Sequence, residues 1–201
     1  MREKVKLQLL INYLDELTRK YDEIFHLKEQ LLKELERQAL FDSLTGLYNR
    51  NALFSFLEKE IAKVERGENK LLIIFLDLDN FKRVNDIYGH KRGDEVLKNV
   101  AQILKEHFRK YDILARFGGD EFILAIILPP SSNMKEVEKI LKRVEGEIER
   151  KFQEFGLSIS YGIAIAPEEG KDVQKLIQLA DKRMYEMKKL KKQRQKPPLT
   201  S

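Results

Sequence analysis

The residues of this chain best suited to chemistry are four acids in two short groups. Asp77 and Asp79 end an apolar run that begins at Lys70, and Asp120 and Glu121 lie between two further runs, Ile113–Phe117 and Phe122–Leu128. If those runs are neighbouring strands, the carboxylates converge at one edge of a sheet. Such a cluster repels itself unless cations fill it. Hard oxygen donors of this kind suit Mg²⁺, the more so when phosphate oxygens complete the shell. The plainer alternative is a set of surface turn acids, since Asp is common in turns. Gly118 and Gly119 weigh on the side of a site, because glycine lets backbone approach a ligand closely and tolerates positive φ. They suit a tight hairpin turn equally well. The usual nucleotide signatures, GxxxxGK[ST] and GxGxxG, are missing. His26, His90 and His107 are scattered without metal-site spacing, and the absence of Cys excludes disulfides, thiolate catalysis and zinc ribbons.

The elements that must hold these residues follow from length and pattern. The chain has 201 residues, 42% hydrophobic and 35% charged, which fits one medium domain with an appendage and excludes a disordered chain or a membrane bundle. No apolar run is long enough to cross a bilayer, and MREKVKLQLL lacks the apolar core of a secretory signal, so a soluble, cytoplasmic protein without a membrane segment is expected. The net charge of +5 is uneven: residues 1–40 are neutral, and residues 182–196 carry eight Lys or Arg against Glu186 alone, which leaves the rest at −2. A slightly acidic body argues against nucleic acid as a partner. The basic run reads as a solvated helix end whose first turns can also hold an anion.

Residues 1–40 contain no Gly or Pro and fit a heptad frame with Leu7, Leu14, Tyr21, Lys28 and Leu35 at a, and Leu10, Leu17, Ile24, Leu31 and Gln38 at d. Eight apolar residues in ten predict a coiled-coil dimerisation helix, with Lys28 helping to set register. The alternative is an amphipathic helix packed on its own domain. Beyond it the order reads helix, strand, helix, hairpin, helix, strand, helix. Leu53, Leu57, Ile61 and Val64 mark the first helix face. Asn133, with Glu136 three residues on, is expected to cap the helix that ends near Phe152, and Asp172 to open the last one. The fold class expected is α+β, a sheet covered by helices. The expected division is a helix at 1–40, a catalytic domain at 41–192 and a flexible tail at 193–201.

Gly118-Gly119-Asp120-Glu121-Phe122 spells GGDEF, and at these residues the chain resembles the GGDEF-domain diguanylate cyclases. The likeness is not confined to five residues. Asp42–Arg50 (DSLTGLYNR) is similar to the family's opening DxLTGLxNR, and Phe75–Lys82 (FLDLDNFK) to its metal strand. Asn85-Asp86, Gly89-His90 and Gly93-Asp94 follow at family spacing. Ser160–Ala164 and Ala180-Asp181, Tyr185 and Lys188 match later blocks, so the resemblance covers about residues 40–192.

The resemblance implies a palm-like fold, similar to nucleotide cyclases and polymerase palms, that condenses two GTP into cyclic di-GMP and two pyrophosphates. By that likeness Asp77, Asp120 and the Leu78 carbonyl hold Mg²⁺, or Mn²⁺ in its place, and Glu121 completes the acidic site. Asp120 is also the base for the attacking ribose hydroxyl. Lys82 and Lys188 contact phosphates, Gly118 and Gly119 border the substrate, and Asn85 and Asp94 recognise guanine. Asp94 can accept from the N1 and N2 donors, and the Asn85 amide can both donate and accept, a pattern adenine does not match. Apart from the resemblance, Asn85 and Asp94 read as a turn residue and a helix cap. Lys192 stands where the family often has Arg; the charge is kept and the bidentate fork is lost. Arg109 and Asp112 form the RxxD of the family's inhibitory product site, which implies feedback by cyclic di-GMP. One such domain holds one GTP, so ring closure needs a homodimer, and the coiled coil would supply it. The competing expectations are an inactive GGDEF domain that senses GTP or cyclic di-GMP, and a coiled-coil adaptor whose head only docks. The intact acids and glycines favour the enzyme.

Overall fold

The structure, a computed structural model, describes residues 2–132 and 134–194. The chain divides into two units, one ending at Ala39 and one beginning at Leu40. The first consists of α1 (Arg2–Leu40) up to its penultimate residue, and no residue of that helix is buried. The leucines of its heptad seam are exposed along α1.

The second unit runs α2 (Arg50–Glu65), β1 (Lys70–Asp79), α3 (Phe81–Tyr88), α4 (His90–His107), β2 (Ile113–Gly118), β3 (Glu121–Leu128), α5 (Lys135–Lys151), a 3₁₀ turn (Gln153–Phe155), β4 (Ser158–Ala166) and α6 (Val173–Arg194). The strands form one antiparallel sheet in the order β2-β3-β1-β4. This is the α+β fold expected. The sequence run read as one helical stretch around Phe81–Tyr88 and another from Val96 is two helices broken at Gly89, whose φ of +80° a side chain rarely adopts.

β1 explains why its sequence is a continuous apolar run. It pairs on both edges and is covered on both faces. Leu72, Ile74, Leu76 and Leu78 pack with α4 and α5; Leu71, Ile73 and Phe75 pack with α2 and α6. Asp77 and Asp79 belong by alternation to the α2/α6 face. Two side-chain caps start the helices of that face: Asn49 accepts from Ala52 N at 2.9 Å and Asp172 from Lys175 N at 3.0 Å. The expected Asn133 cap lies outside the described residues, as do residues 195–201 of the expected tail. Gln193 and Arg194, also placed in that tail, belong instead to α6. Among the described residues no helix is long and apolar enough to cross a membrane.

Candidate active site

The acids meet because of register. β1 pairs with β3 so that Asp77 lies directly opposite Glu121, and Leu78 N–H donates to the Asp120 carbonyl at 3.2 Å. Gly118 pairs with Glu121 and leaves Gly119 and Asp120 as the two turn residues. Gly118 therefore ends β2 rather than turning, and Gly119 alone has positive φ. Like charges opposite one another across a strand pair destabilise it. The consequence is visible in proton affinity. Burial and the Asp77 charge push the Asp120 carboxyl above its ordinary value. Burial, Asp77, Asp120 and Asp181 do the same to Glu121, and Lys188 opposes both.

Lys188 reaches this edge from α6. Its ammonium donates to Asp77 Oδ1 and lies 4.0 Å from Asp79. The position thus attracts a cation, and the donors around it are hard oxygens. Among the described residues no three His, Cys, Asp or Glu side chains form a set that could hold a metal by themselves. That donor set suits an ion such as Mg²⁺, which takes one or two carboxylates and completes its shell with phosphate oxygens and water. Asp79 has a different task. It is buried and accepts from Ser160 Oγ at 2.8 Å and Ser158 Oγ at 3.0 Å, which ties the end of β1 to β4.

Beside the acids a cleft of about 650 Å³ is lined by Leu78, Lys82, Asp120, Lys188 and Lys192, five residues the resemblance singled out. Arg83 and Lys191 line it too and were not foreseen. Asn85 lies one turn beyond Lys82 on α3. Asp94 is the fifth residue of α4 and not its cap, which Gly89 provides. Asn85 and Asp94 do not line the cleft itself, though Asn85 touches Gly93 beside Asp94.

The hairpin tip is held by Arg116, which sequence reasoning missed. Its guanidinium donates to the Gly119 carbonyl at 2.8 and 3.1 Å and to Asp42 at 3.3 Å. The opening DSLTGLYNR segment is thus a clasp on the GGDEF turn. Tyr48 bridges to Ala115, and the Arg50 guanidinium lies 4.4 Å from the Phe117 ring centre. The signal available was an arginine two residues before the glycines.

Arg109 and Asp112 stand apart from the cleft, in the turn between α4 and β2. Asp112 is buried, and one carboxylate oxygen accepts from Arg109 N–H at 2.8 Å. Burial raises its pKa. The Arg109 guanidinium is exposed and donates to Tyr111 Oη. Arg109 and Asp112 border a second cleft of about 360 Å³ that Phe41, Tyr48 and Lys110 also line.

Acids gathered at a sheet edge next to a lysine-lined cleft are the kind of groups that phosphoryl transfer needs. Comparison with known proteins agrees. Residues 39–194 match the model of the family described as "Diguanylate cyclase, GGDEF domain", and the chain belongs to that family. The diguanylate cyclase DgcS of Shewanella oneidensis is 37% identical over 158 residues, 78% of this chain and 52% of DgcS. The cyclic di-GMP phosphodiesterase PdeR of Escherichia coli is 38% identical over 151 residues, 73% of this chain and 22% of PdeR. The chain therefore spans about half of one relative and under a quarter of the other. The crystal structure of the coiled coil and GGDEF domain of DgcB from Caulobacter crescentus, in complex with c-di-GMP, superposes with a TM-score of 0.72 at 28% identity, covering 87% of this chain and 93% of that one.

Proposed function

We propose that this protein is an active diguanylate cyclase that condenses two GTP into cyclic di-GMP as a homodimer in the cytoplasm. The observation that carries the reading is the pairing of Asp77 with Glu121 at the edge where Asp120 turns, with Lys188 set against them. Phosphoryl transfer asks mostly for positioning and charge neutralisation. Lys82, Lys188 and Lys192 hold the triphosphate. Asn85 and Asp94 select guanine. Asp77, Asp120, Glu121 and the Leu78 carbonyl hold Mg²⁺, which supplies charge neutralisation when bound. The Asp120 carboxylate, at the turn beside Asp77, is placed to take the proton of the attacking 3′-hydroxyl.

Ring closure needs two heads face to face, each 3′-hydroxyl attacking the other's α-phosphate as that phosphate's bond to the β-phosphate breaks, so that two pyrophosphates leave. The exposed seam of α1 supports a parallel stalk that raises the second head to an effective concentration of order mM. Arg109 and Asp112 form an inhibitory product site. A guanidinium free to swing from Tyr111 suits phosphate and guanine acceptors.

The second reading, a sensor that binds nucleotide without turnover, is kept because PdeR is named for hydrolysis yet matches 73% of this chain. One experiment separates the two. Protein stripped of bound nucleotide is incubated with GTP and Mg²⁺, beside Asp120→Ala, and the nucleotides are resolved by chromatography. Cyclic di-GMP from the parent and none from the variant supports the enzyme. A stripped, dimeric parent that binds GTP and makes no product leaves the sensor.

A further inference from the structure

Gly93 sits in the first turns of α4, in a position where alanine would be the better helix former by about 1 kcal/mol. What it provides is room. A Cβ built on Gly93 would lie 1.9 Å from Asn85 Oδ1, 3.0 Å from Asn85 Cγ and 3.2 Å from Phe81 Cζ. The two backbones cannot drift apart to relieve this. Gly89 N–H donates to the Asn85 carbonyl at 2.9 Å, and Gly93 N–H donates to the Gly89 carbonyl at 3.3 Å. Gly89 therefore ties both residues, and only the Asn85 side chain can yield. That side chain makes no hydrogen bond with the described residues, so shape alone sets its rotamer.

We propose that Gly93 is a positioning residue for base recognition: its bare Cα is the seat on which the Asn85 amide rests with its edge toward guanine. This rests on the reading of Asn85 as a guanine contact. Any side chain at 93 turns that amide away. Nucleotide affinity and base preference then fall while the fold and the phosphate-binding groups stay in place.

The test is a double-mutant cycle of Gly93→Ala and Asn85→Ala, read by KM and kcat for GTP and for ATP, by the Kd for GTP from equilibrium dialysis, and by melting temperature. Gly93→Ala is expected to raise the KM and Kd for GTP about three- to thirty-fold, as for one or two lost hydrogen bonds. It should narrow the preference over ATP, with kcat changed less than about two-fold. In the Asn85→Ala background the same change should add nothing to KM or Kd, and it should lower the melting temperature less than in the parent background, because the clash with the amide is gone and only the 3.2 Å approach to Phe81 Cζ remains. Affinity losses that multiply, or an equal fall in melting temperature in both backgrounds, overturn the proposal. If Asn85→Ala alone leaves GTP affinity at the parent value, the guanine reading fails first and takes the proposal with it.

Discussion

The contact between β4 and α6 has almost no slack, and one methyl group should expose it. Gly162 lies on β4 under the middle of α6. A Cβ at that position would come 2.1 Å from the Ala180 carbonyl oxygen, 2.4 Å from Met184 N and 2.7 Å from Arg183 Cβ. Ordinary contact begins near 3.5 Å, so α6 must retreat by roughly 1 Å or more. Two of the three neighbours are backbone atoms, and no rotamer change can absorb the clash. Overpacking of this kind costs about 3 kcal/mol, the upper end of the usual range. For a domain of this size the melting temperature should fall roughly 6–12 °C. The retreat also carries Lys188 away from Asp77, because α6 holds it there. A displacement near 1 Å in a positioning group costs about a hundred-fold in rate.

The same substitution elsewhere gives the opposite sign. Gly146 lies inside α5, and a Cβ there meets nothing within 4 Å. Gly146→Ala should gain about 0.5–1 kcal/mol from helix propensity alone, a rise of roughly 1–4 °C, with unchanged activity. Thermal melts by near-ultraviolet circular dichroism and initial rates of cyclic di-GMP formation read both. A Gly162→Ala protein that melts with the parent and keeps its rate would refute the reasoning, since α6 would then be free to slide on β4.

Three further outcomes follow from the structure. Arg109→Ala should relieve inhibition by cyclic di-GMP and leave synthesis intact, whereas Asp112→Ala should also lower the melting temperature by a few degrees, because the buried carboxylate holds the Arg109 turn; steady-state rates with added product, run beside melts, separate the two. Ile24→Lys in the α1 seam should dissociate the stalk, seen by sedimentation, and make the specific activity rise with protein concentration. Glu169 is held below its ordinary pKa of 4.5 chiefly by hydrogen bonds to the Arg183 guanidinium. A carboxyl whose pKa is lower in the folded state stabilises above its unfolded pKa and loses that contribution as pH falls through the folded value. Glu169→Gln should therefore melt below the parent at neutral pH, and the gap should close as the pH falls below 4.5 and through the lower folded value.

The parts of this fold that the sequence made legible are those whose cause is local or periodic. The run from Lys70 to Leu76 reads as a doubly covered strand because β1 is buried on both faces. The spacing of the two runs around Gly118–Glu121 reads as a hairpin with a glycine turn; the structure sets that turn at Gly119 and Asp120, and one antiparallel register then places Asp77 against Glu121. The parts that stayed hidden are decided by chain segments far apart in sequence. Arg116 reaches back 74 residues to Asp42, and Lys188 reaches back 111 to Asp77. Neither distance is written in composition or period. Asp77 and Asp79 look alike in sequence, yet two serines on β4 turn one into a structural tie and leave the other to the Lys188 ammonium.

Glycines form an intermediate class, because the residue type marks a need for space without naming the neighbour that needs it. A glycine inside a strand signals a close backbone approach, and Gly162 has one. A glycine inside a helix weakens it, and Gly93 and Gly146 do so equally by propensity. Only the neighbours tell them apart. Gly93 has Asn85 against it and Gly146 has open space. Two glycines with the same intrinsic cost should thus give opposite results when replaced by alanine, and the sign in each case comes from the packing, not from the helix.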